Sequence, residues 1–248
     1  MSTPKQLLVF GATSAIVQET IKLFARDGAS FYLCARRPDD LQRLVDDLNV
    51  RGAHTIFTAT FEAADLNSIA PAIDDCLSKF PDLDGLLIGH GVLPHQQGSQ
   101  NNTDELQSIV AINFVSSAAI LNRLVPHFER KGSGCIAVIS SVAGDRGRQS
   151  NYLYGATKSA LDAYLSGLRQ RLHNCGVRVI TIKPGFVDTP MTRDFKKGVL
   201  WASPNAVAKG IYQAFERADG IVYLPWFWRP IMMVIRAIPE NVFKKIAL

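Results

Sequence analysis

Residues 7–17 read Leu7-Leu8-Val9-Phe10-Gly11-Ala12-Thr13-Ser14-Ala15-Ile16-Val17. An apolar run of strand length leads into a glycine, a short polar segment and the start of a helical pattern. A helix amino terminus presents free backbone N–H groups and a partial positive charge, which suit the pyrophosphate of a dinucleotide. The stretch predicts a strand–turn–helix unit that binds phosphate, with Ser14 as the helix cap, although a plain strand–helix turn fits equally well. The residues of this predicted phosphate site are Gly11, Thr13, Ser14, Ala15 and Ile16.

The alternation of strand and helix patterns continues along the whole chain. Several strand-length runs are almost entirely apolar, as expected for parallel strands covered on both faces. Repeated strand–helix–strand units predict a single α/β domain over residues 1–248, a Rossmann-type, doubly wound parallel sheet of about seven strands with helices on both faces. A ligand should bind beyond the carboxyl ends of the strands. The predicted strands are 7–11, 30–35, 55–59, 85–89, 135–140, 177–183 and 221–224, and the main predicted helices are 14–26, 39–49, 66–80, 103–129 and 152–174.

The composition indicates a globular enzyme rather than a nucleic-acid-binding protein. The chain has 248 residues, of which 47% are hydrophobic and 20% charged, and its formal net charge is +5. A basic balance can favour nucleic acid, an anionic membrane or a phosphorylated ligand. Because the lysines and arginines are scattered and form no long basic block, we expect no nucleic-acid partner.

The cysteines and the amino terminus indicate a reducing, cytoplasmic location and no metal site. The cysteines lie far apart without a C-x-x-C pair, so neither a zinc site nor a redox motif is suggested. Two of them lie in apolar runs, where buried free thiols are expected. The first six residues run directly into the first strand, which leaves no room for a signal peptide. The cysteines are Cys34, Cys76, Cys135 and Cys175, and the two in apolar runs are Cys34 and Cys135.

A serine, a tyrosine and a lysine in the second half of the chain form the strongest chemical signal. Tyr154 and Lys158 are four residues apart, so they share one face of a predicted helix. Ser141 lies thirteen residues before Tyr154, just past a predicted strand end. An ammonium beside a phenol favours the phenolate, so we expect Lys158 to lower the pKa of Tyr154 from its ordinary value of about 10. Tyr154 would then act as general acid in carbonyl reduction or as base in alcohol oxidation, while the Ser141 hydroxyl holds the substrate oxygen.

This serine–tyrosine–lysine set and the glycine after the first strand resemble the short-chain dehydrogenase/reductase family, over nearly the whole chain. The resemblance implies an oxidoreductase with a nicotinamide cofactor, in which Lys158 also bonds the nicotinamide ribose. It further implies that Asn113 orders a water path to the lysine, and an asparagine in an apolar helical pattern does need partners if it is buried. Family members are often dimers or tetramers, so a homodimer or homotetramer is implied as well.

Two glycine-rich segments depart from the family pattern. The family's Gly-x-x-x-Gly-x-Gly reads Gly11-x-x-x-Ala15-x-Val17, which adds a methyl where backbone approaches phosphate and bulk where helix packs on strand. The family's Asn-Ala-Gly after the fourth strand reads Gly89-His90-Gly91. We therefore expect a slightly displaced first helix, with His90 lining the cofactor site rather than reacting.

The end of the second predicted strand favours NADP(H) over NAD(H). NAD-dependent proteins of this fold place an acid near this point to bond the ribose 2′-hydroxyl. Here the strand ends with Arg36 and Arg37, and a guanidinium can hold a 2′-phosphate through paired charge-assisted bonds. Asp39 and Asp40 follow Pro38, too late for the usual position of the acid. We expect Arg36 to bind the phosphate first and Arg37 second; a solvated surface pair is the alternative.

The resemblance implies further cofactor contacts at later strand ends. Asp65 would face the adenine amino group, cap the helix that begins beside it, or do both. Backbone at Val187 would meet the nicotinamide carboxamide, and Thr189 would reach the carboxamide or a phosphate. Residues 191–203 would form a substrate lid. These implied contacts are Asp65, Leu66, Gly89, His90, Gly91, Pro184, Gly185, Val187 and Thr189.

Two less generic stretches bear on the substrate. Residues 144–151 carry Arg146 and Arg148, which can bind a phosphate or carboxylate unless they belong to a solvated loop. The tail, residues 224–248, is aromatic and apolar, but prolines and arginines interrupt it, so it is not a spanning helix. The alternatives for the tail are contact with a membrane surface, a dimer contact or closure over the pocket.

Residues 141–151 and the tail together resemble one branch of the family, the decaprenylphosphoryl-2-keto-pentose reductases, which reduce a keto-sugar on a polyprenyl phosphate. This resemblance implies a lipid-linked carbonyl substrate. A general ketone or 3-oxoacyl thioester reductase acting on a small soluble molecule is the alternative, since such a substrate would not require the aromatic tail. A non-catalytic nucleotide-binding regulator is a further alternative, which the intact Ser141, Tyr154 and Lys158 oppose because a sensor needs no proton donor.

Overall fold

All seven predicted strands are present, and each begins and ends within one residue of its predicted bounds. The computed structural model describes residues 6–217 and 219–246; the first five residues and the last two of the tail, on which part of the sequence predictions rest, lie outside this range. The strands are β1 (Gln6–Phe10), β2 (Ser30–Ala35), β3 (Ile56–Thr60), β4 (Gly85–Ile88), β5 (Gly134–Ile139), β6 (Val177–Pro184) and β7 (Gly220–Leu224). They form one parallel sheet in the order β3-β2-β1-β4-β5-β6-β7. The predicted Rossmann-type architecture is therefore confirmed.

The helices predicted from the sequence are also present, together with shorter ones that the sequence analysis did not predict. The predicted helix 103–129 consists of two α-helices joined by a π-helical turn at Ala111–Val115. The unpredicted helices lie at residues 96–99 and after residue 203. The α-helices are α1 (Ala15–Arg26), α2 (Pro38–Val50), α3 (Ile69–Lys79), α4 (Gln96–Ser99), α5 (Thr103–Val110), α6 (Ser116–Lys131), α7 (Tyr152–Leu172), α8 (Pro204–Arg217), α9 (Trp228–Ala237) and α10 (Glu240–Phe243).

Apolar residues cover both faces of the sheet. Side chains alternate along a strand, and in β1 Leu8 and Phe10 enter one apolar cluster while Leu7 and Val9 enter the other. The expected buried thiols in β2 and β5 are confirmed, and all four cysteines are free. Burial on both faces explains why these strands read as nearly continuous apolar runs.

The strand order places the ligand cleft beside β1. The chain runs outward from β1 to β3 at one edge and then returns to β4 on the other side of β1. Connections on the two sides of β1 therefore diverge, which opens a crevice at the carboxyl ends of β1 and β4. The phosphate turn, Gly89–Gly91 and the predicted catalytic loop all follow strands at this edge.

One helical run, residues 103–131, is long and apolar enough by length and composition to cross a membrane. Its apolar residues Ile120, Leu121 and Leu124 are fully buried in the core beside the sheet. Packing in the core therefore accounts for the apolar character of this run.

Candidate active site

Gly11 brings the turn after β1 against the turn after β4. Its φ of +76° lies in the left-handed region that favours glycine. A Cβ at this position would lie 2.5 Å from the backbone nitrogen of His90. A side chain at residue 11 would thus push the two strand ends apart at the floor of the cleft.

The Val17 side chain fills the space beside Gly89. Val17 is fully buried on α1, and a Cβ built on Gly89 would lie 2.2 Å from Val17 Cγ2. Valine therefore occupies the volume that a side chain at residue 89 would need. The two departures from the family pattern complement each other, so Val17 gives no reason for the displaced helix that we expected.

The start of α1 fits the phosphate group of a dinucleotide. Ser14 takes the N-cap position, but within the described residues its side chain makes no capping hydrogen bond, so the predicted cap is wrong in that respect. Thr13, Ala15 and Ile16 are only partly buried. The backbone N–H groups of this first turn are not occupied by the Ser14 side chain and can face an anion.

The two arginines after β2 have different surroundings. The Arg36 side chain is 70% exposed, and its Nε lies 4.0 Å from Glu62 Oε2, at the limit of an ion pair. Arg37 forms a close ion pair with Asp40, one turn further along α2. Asp40 follows the position at which an acid usually binds the ribose, and here it pairs with Arg37. Of the two guanidiniums, that of Arg36 has the longer ion-pair distance and is the more available to a ligand.

Asp65 has the capping role that the sequence allowed. Its Oδ1 accepts a hydrogen bond of 3.0 Å from the backbone nitrogen of Asn67, in the 3-10 turn that begins at Leu66. Asp65 and Leu66 are both exposed in the segment that follows β3. Contact with the adenine amino group stays a prediction.

His90 is fixed inside the protein by a neighbouring helix. Its Nε2 is hydrogen-bonded at 2.7 Å to Ser116 Oγ, and its ring packs against Phe61 with centroids 5.2 Å apart. Burial, assisted by the nearby Lys158, lowers the pKa of His90 to about 3. A histidine that stays neutral at ordinary pH suits the lining role predicted for it.

Asn113 is buried and fully engaged. Its Oδ1 accepts from the Val92 nitrogen at 2.8 Å, and its Nδ2 donates to the Val92 oxygen at 2.9 Å and to Thr157 Oγ1 at 3.2 Å. A Cβ on Gly91 would lie 3.1 Å from Asn113 Oδ1 and 3.7 Å from Lys158 Nζ. Asn113, Gly91 and Lys158 therefore meet at one point, and the need for partners expected of a buried asparagine is met.

Ser141, Tyr154 and Lys158 converge at the carboxyl end of β5. The Ser141 hydroxyl lies close enough to Tyr154 to favour its ionised form, and the Lys158 Nζ lies 5.7 Å from the centroid of the Tyr154 ring. Lys158 is buried, and its Nζ donates to the Ile139 oxygen at 3.1 Å. The structure thus brings together the three side chains that the spacing in the sequence singled out.

The expected direction of the Tyr154 pKa shift is wrong. Burial raises the pKa of Tyr154 to about 12, and the hydrogen bond from Ser141 offsets only part of that effect. Burial also lowers the pKa of Lys158 to about 8. Desolvation disfavours the charged form of both groups and is the largest cause of each shift. The phenol is therefore held protonated, which is the form that a proton donor needs.

The segment after β6 forms a folded loop beside this cluster. Thr192 Oγ1 donates to the Val187 oxygen at 2.6 Å and accepts from the Thr189 nitrogen at 3.1 Å. A backbone bridge between Val187 and Ala202 closes the loop. The predicted lid, 191–203, is mostly exposed between these two anchors.

Trp228 is a site residue that the sequence analysis did not single out. A Cβ on Gly185 would lie 1.9 Å from Trp228 Nε1, so the glycine of the Pro184–Gly185 pair makes room for the indole. The Trp228 ring also contacts Phe186, with centroids 5.2 Å apart, and Phe186 stacks on Trp201 at 5.4 Å. The start of the tail is thereby joined to the lid and to the segment after β6.

The two arginines of residues 144–151 bind the tail. Arg146 Nη1 donates to the Ile235 oxygen at 2.7 Å and the Ile238 oxygen at 2.5 Å, and its Nη2 pairs with Glu240 at 2.9 Å. The prediction that Arg146 is available to the substrate is therefore wrong, because the end of α9 occupies it. Arg148 Nη2 contacts Met232 Sδ at 3.3 Å, while its buried Nε has no partner among the described residues.

A family model described as short chain dehydrogenase matches residues 5–199. An uncharacterised oxidoreductase of Mycobacterium tuberculosis is 31% identical over 239 residues, covering 96% of each chain. Two solved structures share the fold. L-sorbose reductase from Gluconobacter frateurii, complexed with NADPH and L-sorbose, has a TM-score of 0.80 at 19% identity and covers 89% of this chain and 95% of that one. The 3-oxoacyl-[acyl-carrier protein] reductase from Brucella melitensis has a TM-score of 0.78 at 22% identity, with 89% of each chain covered.

Proposed function

This chain is an oxidoreductase of the short-chain dehydrogenase family, and from that premise we propose that it is an NADP(H)-dependent carbonyl reductase that uses Ser141, Tyr154 and Lys158. The observation that carries the proposal is the convergence of these three side chains at the carboxyl end of β5, with the Ser141 hydroxyl beside the Tyr154 phenol and the Lys158 Nζ 5.7 Å from the centroid of the Tyr154 ring. The reverse reaction oxidises the corresponding alcohol.

The proposed roles of the three residues follow from which of them carries a proton that can be donated and which carries a positive charge. Protonated Tyr154 donates its proton to the substrate oxygen, and the Ser141 hydroxyl donates a hydrogen bond that stabilises the charge developing there. The Lys158 ammonium attracts the phenolate that is left. Asn113 and Gly91 hold the neighbouring backbone close to Lys158. A nicotinamide cofactor, when bound, supplies the hydride.

The residues proposed to hold the cofactor lie along the same sheet edge. The first turn of α1 faces the pyrophosphate, Asp65 and Leu66 the adenine end, and Val187 and Thr189 the nicotinamide carboxamide. Tyr154 and Lys158 complete the ribose end. Arg36 favours NADP(H), since its exposed guanidinium can pair with a 2′-phosphate while Arg37 is already paired with Asp40.

We propose a keto-sugar on a polyprenyl phosphate as the substrate. Arg148 supports this class, because its buried Nε has no partner among the described residues and can bind a phosphate oxygen. The resemblance to keto-sugar reductases, and the L-sorbose bound by one enzyme of the same fold, agree with it. The 3-oxoacyl reductase of the same fold favours the second candidate, an acyl ketone or thioester reductase.

Steady-state turnover tests the function and the substrate together. Oxidation of NADPH is followed with a polyprenyl-phosphate keto-sugar, with the same sugar lacking the lipid phosphate, and with a short 3-oxoacyl thioester. Faster turnover of the lipid-linked sugar supports the proposal, and faster turnover of the thioester selects the second candidate. Binding of NADPH without turnover of any carbonyl compound would favour a non-catalytic nucleotide-binding protein.

We further propose that the protein acts in the cytoplasm at a membrane surface. In the tail, Trp226 is 76% exposed, Met233 64% and Val234 65%, and Lys244 and Lys245 are exposed nearby in sequence. Exposed aromatic and apolar side chains beside basic ones are typical of interfacial segments. Sedimentation with vesicles of phosphatidylglycerol, but not with phosphatidylcholine vesicles, is the expected result, and Trp226→Ser should weaken it.

The proposed assembly is a homodimer or homotetramer, as is frequent in the short-chain dehydrogenase family. Light scattering coupled to size-exclusion chromatography measures the mass directly. A mass of about one chain at micromolar concentration would contradict the assembly.

A further inference from the structure

A buried group of charges lies next to Lys158 and is not used by the proposed mechanism. Lys183 Nζ lies 2.7 Å from Asp162 Oδ2 and also makes a close ion pair with Asp145. The side chains of Lys183, Asp145 and Asp162 are only 5%, 2% and 15% exposed. Tyr223 donates a hydrogen bond of 2.9 Å to Asp145 Oδ2. We call Asp145, Asp162 and Lys183 the buried triad.

The triad joins the segments that carry the proposed catalytic groups. Asp162 follows Lys158 by one turn of α7, and Lys183 precedes Pro184 at the end of β6. Ser140, the neighbour of Ser141, donates to Asp162 Oδ1 at 2.5 Å. A Cβ on Gly144 would lie 2.7 Å from Asp162 Oδ2, so this glycine lets the loop after β5 approach the carboxylate.

The charges of the triad do not balance on their own. Two carboxylates face a single ammonium, and a buried charge without a partner is strongly unfavourable. Lys158, one turn earlier on α7 and also buried, carries a second ammonium on the same helix face as Asp162. Burial alone would lower the pKa of Lys183, but its bonds to Asp145 and Asp162 raise it above the ordinary value, so Lys183 keeps its charge.

Asp162 follows Lys158 by four residues on α7, so the two side chains lie on the same face of the helix. Burial lowers the pKa of Lys158 to about 8, and the Asp162 carboxylate acts in the opposite direction. The other groups that face Lys158 are Tyr154 on α7, His90 at the end of β4, Asn113 before α6 and the Ile139 carbonyl of β5. Tyr154, His90 and Asn113 are uncharged at neutral pH in this state.

We propose that Asp162, held in place by Lys183 and Ser140, is a positioning residue that keeps the Lys158 ammonium charged beside Tyr154. The effect of Asp162 on catalysis rests on the proposed function, whereas the electrostatic effect of Asp162 on Lys158 does not. The rest of the triad acts through Asp162: Lys183 holds the carboxylate, and Asp145 holds Lys183.

The test is a direct titration of Lys158 that needs no substrate. Protein labelled with ¹³C at the lysine ε-carbon is titrated by NMR, and the Lys158 signal is identified by its loss in Lys158→Arg. In the parent we expect a midpoint near pH 8. In Asp162→Asn we expect the midpoint to fall by about one unit, a tenfold loss of proton affinity, because the favourable carboxylate charge is gone.

Asp145→Asn is the matched control, since it makes the same chemical change in the same triad one partner further from Lys158. Its midpoint should move by less than half as much. If Asp162→Asn does not fold, Ser140→Ala provides a milder change, which weakens the hold on the Asp162 carboxylate and should move the midpoint in the same direction. An unchanged midpoint in the folded Asp162 variant, or an equal fall in the Asp145 variant, would overturn the proposal.

Turnover separates this inference from the proposed function. The alkaline limb of the pH profile should move to lower pH in Asp162→Asn along with the Lys158 midpoint, whereas general damage would lower turnover equally at every pH. A protein that turns over no carbonyl compound but shows the NMR shift would refute the proposed function and keep the inference.

Discussion

The turn after β1 and the loop after β5 lie at the same edge of the sheet, but their side chains matter in different ways. In the turn, two of the family's glycines are replaced, but the groups proposed to bind phosphate are backbone N–H groups, which every residue type except proline provides. In the loop and on α7, Ser141, Tyr154 and Lys158 all match the family pattern, and here the side chains themselves are the proposed reacting groups.

One substitution in this first segment, Val17, is complementary to the Gly89 substitution after β4. Val17 fills the space left by Gly89, with only 2.2 Å between its Cγ2 and the position of a Cβ on residue 89. Packing positions can exchange volume with a neighbour, whereas a proton donor can be replaced only by a group of similar acidity and reach. The predictions below test this contrast.

Loss of the Tyr154 hydroxyl should have the largest effect. We expect Tyr154→Phe to lower kcat by about 10²–10⁴-fold, because no group then donates the proton. NADPH binding, followed by cofactor fluorescence, should change little. Tyr152→Phe is the matched control, since Tyr152 is exposed on the same helix, and equal turnover in the two variants would remove Tyr154 from the mechanism.

On the cofactor side, Arg36→Ala should weaken NADPH binding by about 10-fold or more and leave NADH binding nearly unchanged. The reason is the loss of charge-assisted bonds to the 2′-phosphate. Arg37→Ala should have a smaller effect, since Arg37 already pairs with Asp40. Fluorescence titration with both cofactors measures the difference, and a parent that binds NADH more tightly would contradict the NADP(H) preference.

Gly89→Ala should destabilise the protein by about 1–3 kcal/mol, because the new methyl group collides with Val17 Cγ2. In a Val17→Ala background the nearest Val17 atom to that methyl would be Cβ, at 3.7 Å, although the contact with Ile139 Cδ1 at 3.1 Å remains. The double variant should therefore be more stable than the sum of the two single changes predicts. Denaturant unfolding of all four proteins gives the coupling free energy, and a value near zero would refute the pairing.

The smallest expected effect concerns His90 and acid stability. Its folded pKa of about 3 lies below the ordinary 6.5, so the unfolded chain binds the proton first and stability falls as pH drops through that window. His90→Gln should remove about 1–2 kcal/mol of the stability difference between pH 7 and pH 5. Urea unfolding at both pH values measures this, and equal differences in parent and variant would show that His90 does not control it.

Much of the fold could be predicted from the sequence because burial on both faces gives parallel strands a continuous apolar signal. Each of the seven strands was located to within one residue. The helix α8 was missed although Val207, Ile211 and Phe215 follow a helical period. The helix α9 was obscured by its aromatic start and by Pro230, which stands in its first turn, where proline is tolerated.

The sequence by itself determined the sheet, the turn between β1 and α1 and the spacing of Ser141, Tyr154 and Lys158, because these depend on local periodicity and on groups close together in the chain. Only the tertiary structure decided the contacts that join distant segments. Gln96 Oε1 accepts from the Leu153 nitrogen beside Tyr154 at 3.0 Å across 57 positions, and Arg146 is taken up by the tail. Burial likewise reversed the expected pKa shift of Tyr154, since desolvation depends on what the whole fold packs around a group.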